Sequence, residues 1–168
     1  MAVRVVGPMQ WIVYPSLAAI AATVILATPV ELFGLKLPEP VLPLVLAFAW
    51  PLIRPSMLGP AVLFLLGLFL DLFWGGAMGL WPLCLLGVYG GILLARNLLA
   101  GQETLILFAW YAAASCLVFL TAYLIVTVQA GNAPSLISLF NQVWPTLAIF
   151  PIAAWLIERF DDGDVRFR

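Results

Sequence analysis

Long apolar runs, separated by short connections that carry most of the charge, constrain this chain more than any other feature. A helix needs about 20 apolar residues to cross a bilayer, with a working range of roughly 17–25. The 168 residues are 65% hydrophobic and 9% charged, against roughly 25% charged for a soluble domain. A water-soluble globule has no interior large enough for so much apolar side chain. Lipid is therefore the expected solvent for most of the surface.

In chain order, the first run is 11–30, preceded by Arg4 and Pro8. It is too long for a signal peptide, and its small residues around Ala19–Ala21 lie mid-run instead of after it. A polar connection with Glu31, Lys36 and Glu39 follows. The second run, 41–53, is short and holds Pro43 and Pro51. Pro51 leaves the Ala47 carbonyl without its usual donor, so a kink is expected there. So short a helix is expected to tilt little or to face lipid only in part. After the turn Arg54-Pro55-Ser56 come runs at 58–74, 80–95 and 104–128. Gly131, Asn132 and Pro134 break the chain before the last run, 139–157, which Pro145 and Pro151 interrupt. Residues 158–168 form a charged tail, expected to fray. The pattern predicts an all-α polytopic membrane protein with one six-helix transmembrane domain over 1–157.

Orientation follows from the basic residues. With six spans, Arg4, Arg54, Arg96, Arg159, Arg166 and Arg168 share one side and Lys36 lies on the other. The positive-inside rule makes the arginine side cytoplasmic and places both termini there.

Composition also restricts the chemistry. The chain has no histidine, which removes the commonest metal ligand and general base together. Cys84 and Cys116 sit inside apolar runs and form no C-x-x-C pair, as small buried hydrophobes do. A net charge of −1 with no basic patch gives no signal for nucleic acid. No phosphate-cradling loop, paired-carboxylate spacing or metal cluster is present. No catalytic residue, cofactor or metal is expected, and the chain does not read as an enzyme.

One carboxylate stands apart. Asp71 lies in the apolar stretch LFLLGLFLDLFWGGAMGL, Leu63 to Leu80, where a charge costs roughly 2.5–3.5 kcal/mol at mid-bilayer and less near an interface. About 20 Å along its helix from Leu58, it is expected near the outer interface. It is expected there as a polar contact to a cavity or partner protein, or as a residue solvated by headgroups. Gly67, one turn earlier, leaves room for a close helix on the same face. Arg54 is too distant to pair with Asp71, and Arg96 and Glu103 are expected to anchor helix ends. Gly87, Gly91 and Ala95 recur at four-residue spacing, and Gly75 and Gly79 extend that spacing across the turn; these glycines are expected to pack helices within the protomer, with a partner interface as the other reading. The seven tryptophans fall mostly near predicted helix ends, as an interfacial belt does.

Trp50, then Arg54-Pro55, then Gly67-Leu68-x-x-Asp71, then Gly79-Leu80 resembles the signature of the rod shape-determining protein MreD family. The likeness is most specific from Trp50 to Leu80 and elsewhere is mainly one of hydropathy. The bulky turn Phe73-Trp74-Gly75-Gly76 departs from the small polar residues expected after the aspartate. The resemblance implies a non-catalytic inner-membrane component of the cell-elongation machinery, supporting lateral peptidoglycan synthesis and rod shape. It implies MreC as a partner, with MreB, RodZ, RodA and a class B penicillin-binding transpeptidase in the same complex. It further implies a six-helix arrangement similar to the S components of energy-coupling-factor transporters. Asp71, Gly67, Trp50 and Arg54 are the candidate partner-binding or pocket residues. The competing expectation is a small-ligand-binding S-component-like transporter subunit with a pocket near Asp71.

Overall fold

A helix that is apolar on every side can be buried in protein or face lipid. Helix α2 (Leu42–Ile53) is buried in protein: in the computed structural model every residue from Pro43 to Pro51 is buried. The structure describes the backbone of residues 4–6, 9–27, 31–32, 35–36, 39–130, 136–161 and 165–167, and the side chains of 10–27, 39–129 and 142–160. Around α2 pack α1 (Tyr14–Ala27, continuing a π-helical turn at Met9–Val13), α3 (Leu58–Trp74), α4 (Leu80–Leu99) and α7 (Phe150–Asp161). Helix α5 (Thr104–Ala130) lies against α4, and α6 (Leu136–Ala148) against α5. This corrects the expectation of a partly lipid-facing second helix. The short helix is the centre of the bundle, and its neighbours shield it from lipid.

Helices α6 and α7 are two halves of one broken helix, so the fold is all-α with six helical units. Four of these are long and apolar enough to cross a membrane: Gln10–Ala27, Leu80–Leu99, Thr104–Gln129 and Gln142–Phe160. Helices α2 and α3 are apolar but shorter. The protein is a multi-pass membrane protein. Two short strand pairs accompany the helices, Glu31–Leu32 folded back on Leu35–Lys36 and Arg4–Val6 parallel to Val165–Phe167. The second pair brings residues near both ends of the chain together. Helix α7 also runs on to Asp161, so the predicted fraying from Glu158 does not begin where expected.

The break between α6 and α7 falls at Ile149, between Pro145 and Pro151. Proline has no N–H, and a bilayer has no water to replace the missing bonds. Around the break, backbone and side-chain groups bond one another. The Ile149 N–H donates to the Pro145 carbonyl at 3.2 Å. The Tyr111 hydroxyl, from α5, donates to the Thr146 carbonyl at 3.0 Å. The Thr146 hydroxyl donates to the Gln142 carbonyl at 2.8 Å and accepts the Val41 N–H at 3.2 Å. Thr146 and Tyr111 are both 0% exposed. One threonine thus ties the broken helix to the start of α2.

At the opposite end of α2, the Arg54 N–H closes the helix on the Trp50 carbonyl at 2.9 Å. The turn that follows is held by Tyr89 of α4, whose hydroxyl donates to the Ser56 carbonyl at 3.2 Å and accepts the Ser56 N–H at 3.4 Å. Thr146→Val is expected to orphan the Val41 N–H and lower stability by roughly 1–2 kcal/mol. Thermal unfolding of the purified protein in detergent checks this, and an unchanged Tm would contradict it.

Candidate functional site

Helix α3 cannot continue past Trp74, because Gly75 adopts the left-handed conformation with φ 62°. Gly79, with φ 92°, sets the entrance to α4 in the same way. Two reversals within so few residues bring the end of α3 against the start of α4. A helix start carries N–H groups with no intrahelical acceptor and a partial positive charge. The structure places the Asp71 carboxylate on that start. Its Oδ2 accepts the Gly79 N–H at 2.6 Å and its Oδ1 accepts the Trp81 N–H at 3.1 Å. Its own carbonyl also accepts the Gly76 N–H at 3.1 Å, closing the end of α3.

Asp71 is therefore a clamp between two helices, 1% exposed and satisfied by backbone. This corrects the expectation that it faces a cavity, a partner or the headgroups. Burying a carboxylate is tolerable here because both oxygens accept hydrogen bonds from a positive helix end. Gly67 belongs to the same corner. A Cβ added there would lie 2.5 Å from Pro82 Cα and 2.8 Å from Pro82 Cδ, so the bare backbone is what lets α4 cross α3 so closely. The aromatic residues complete the joint. Trp74 Nε1 donates to Glu39 Oε2 at 2.7 Å, and the Trp74 ring meets Trp81 edge-on at 5.1 Å. Trp81 in turn meets Phe119 of α5 at 6.4 Å.

Among the predicted site residues, Asp71, Gly67, Gly75 and Gly79 meet at this corner. Trp50 and Arg54 do not join them; they lie at the far end of α3, beside the Arg54–Met57 turn. Trp50 is 1% exposed, and its Nε1 has no hydrogen-bond partner among the described residues. Trp11 and Trp81 are buried as well, so these three are core residues and not part of an interfacial belt. Trp110, Trp144 and Trp155 remain at the surface.

The four glycines separate by role. Gly75 and Gly79 are turn residues, required for their positive φ. Gly87 and Gly91 are exposed, and a Cβ at either would meet nothing within 4 Å. They do not pack helices inside the protomer, as expected from spacing. They form the floor of an outward groove of about 380 Å³ between α4 and α5, flanked by Leu83, Trp110, Ala113 and Leu117. The α5 wall was missed in the sequence, although Ala112-Ala113-Ala114 is a run of small residues that could have signalled it.

A second, more polar hollow is lined by Arg96, Glu103 and Glu158 near the Arg54 end. No group of three or more His, Cys, Asp or Glu that could hold a metal occurs among the described residues. Cys84 and Cys116 are free thiols, the first buried and the second exposed.

Comparison with known proteins finds no matching family model, no matching curated protein and no matching solved structure. Fold and site define a class, the multi-pass all-α membrane protein, whose most constrained corner holds the bundle together. Substitutions there test folding first. Asp71→Ala is expected to cost about 1–3 kcal/mol for each orphaned N–H. Gly67→Ala is expected to cost about 1–3 kcal/mol through the clash with Pro82. Both should lower Tm in detergent, and a wild-type Tm in either would contradict the clamp.

Proposed function

We propose that this chain is a non-catalytic scaffold of the bacterial inner membrane, of the MreD type. It binds MreC and so supports lateral peptidoglycan synthesis in the cell-elongation complex. MreB, RodZ, RodA and a class B penicillin-binding transpeptidase act beside it. Both termini are cytoplasmic in this reading, with six crossings in an arrangement similar to an S component. The shared side of the arginines and the pairing of the two chain ends support that orientation.

The observation that carries the reading is the α4–α5 groove. Gly87 and Gly91 expose bare helix backbone to the membrane, with Leu83 one turn before Gly87 on α4 and Leu117 on α5 lining the same groove. Association of helices in lipid relies on such small-residue positions, because the lipid chains are as apolar as leucine. MreC is bitopic, and its single transmembrane helix is the occupant assigned to this groove. The small-ligand alternative has lost its anchor, since both Asp71 oxygens are bonded to backbone. A ligand site normally needs several convergent polar groups.

Gentle extraction of a tagged copy from native membranes tests the proposal. MreC should be recovered with the wild-type chain. Gly87→Leu combined with Gly91→Leu should reduce that recovery about tenfold, equivalent to about 1.4 kcal/mol, without lowering Tm. Undiminished MreC in the double variant would remove the groove as the interface. Recovery of an energising ATPase pair in place of MreC would make the chain a transporter subunit.

A further inference from the structure

A different part of the surface has the chemistry of a lipid site. Helices α1 and α7 both pack on α2 but leave a crevice between them, of about 390 Å³. Tyr14, Ala18 and Ala22 form one wall, Ile152 and Leu156 the other, and Leu42, Val45 and Leu46 of α2 the floor. Gln10 and Arg159 stand at one end, where both chain termini also meet. We infer that this crevice binds one anionic phospholipid, its phosphate held by Arg159 and an acyl chain laid along the α2 floor. The inference rests on membrane embedding alone and goes beyond the scaffold reading.

Three observations select this occupant. The first is depth. From Gln10 to Ala22, α1 rises about 18 Å, close to the roughly 15 Å of one leaflet in a hydrocarbon core about 30 Å thick. A partner's transmembrane helix would need the full thickness, whereas a lipid uses one leaflet. The second is charge. The Arg159 guanidinium lies over the Trp155 ring, 5.2 Å from its centroid, and makes no ion pair among the described residues. That stacking keeps a permanent cation at the crevice rim. A guanidinium fork matches phosphate oxygens, and the Gln10 amide and Tyr14 hydroxyl are further donors at the same end. The third is polarity along the length, from a cationic rim to a wholly aliphatic far end. A phospholipid has the same order of parts.

The test uses the full-length chain, purified and stripped of lipid in a neutral detergent. It is titrated separately with phosphatidylglycerol, with phosphatidylcholine of the same acyl chains, and with inorganic phosphate. Native mass spectrometry counts bound molecules and thermal unfolding follows stability. Phosphatidylglycerol should bind saturably at one per chain and raise Tm. Phosphatidylcholine should bind about fivefold more weakly, the preference that one arginine confers for an anionic lipid. Inorganic phosphate alone should have no effect.

Arg159→Gln should abolish the preference, and Ala18→Leu, which narrows the crevice from an exposed position, should abolish binding of both lipids. Equal binding of the two lipids by the wild type would overturn the proposal. So would unsaturable binding, or stabilisation by inorganic phosphate equal to that by lipid. Should Ala18→Leu fail to fold, a preference unchanged in Arg159→Gln would overturn it by itself.

Discussion

A bilayer interior offers no water, so every helix end and every break inside it must find hydrogen-bond partners within the chain. The Asp71 clamp answers that demand at the point of greatest need. Between Trp74 and Leu80 the chain leaves one helix and begins another, and one side chain satisfies two of the donors at the new helix start. Thr146 performs the same service for the broken helix and for the start of α2, and Tyr89 for the turn that joins α2 to α3. Each of these side chains reaches across to another element. The hydrogen bonds that repair the ends are thus also the ones that fix the helices relative to each other.

These ties explain why a twelve-residue helix can sit at the centre. Helix α2 is too short to span the bilayer by itself, but both its ends are held by neighbours, and its apolar surface is covered on nearly every side. The surrounding helices form an incomplete ring. Where two of them stand on a shared neighbour without touching fully, a crevice remains, as between α1 and α7. Where small residues face outward, a groove remains, as between α4 and α5. The rigid corner and the open flanks are consequences of one arrangement: strength is concentrated at α3–α4, and the accessible surface lies beside it.

Much of this was legible in the sequence. The runs at 58–74 and 80–95 correspond to α3 and to most of α4, because runs of that length with few charges admit little else. What could not be read was which way each residue faces. A helix apolar all round has no polar face to reveal its inner side, so α2 was expected to face lipid in part. The glycine spacing was equally ambiguous. Gly75, Gly79, Gly87 and Gly91 share one period, yet two serve backbone conformation and two lie open to the membrane. Asp71 stood out in the sequence as a lone carboxylate, but its partners are backbone N–H groups eight and ten residues later. Any residue except proline could supply those N–H groups, so no sequence signal announces them.

A corner that resists change beside a groove that invites contact is a sensible design for a membrane scaffold. The most direct test is to place a photo-crosslinking side chain at Leu83 or Leu117, which line the α4–α5 groove from its two helices, and irradiate intact cells. The account predicts a crosslink to the transmembrane helix of MreC from both positions, and none from Leu26 on α1, an exposed residue away from the groove. Crosslinks from Leu83 and Leu117 to lipid alone, with MreC captured elsewhere or not at all, would contradict it.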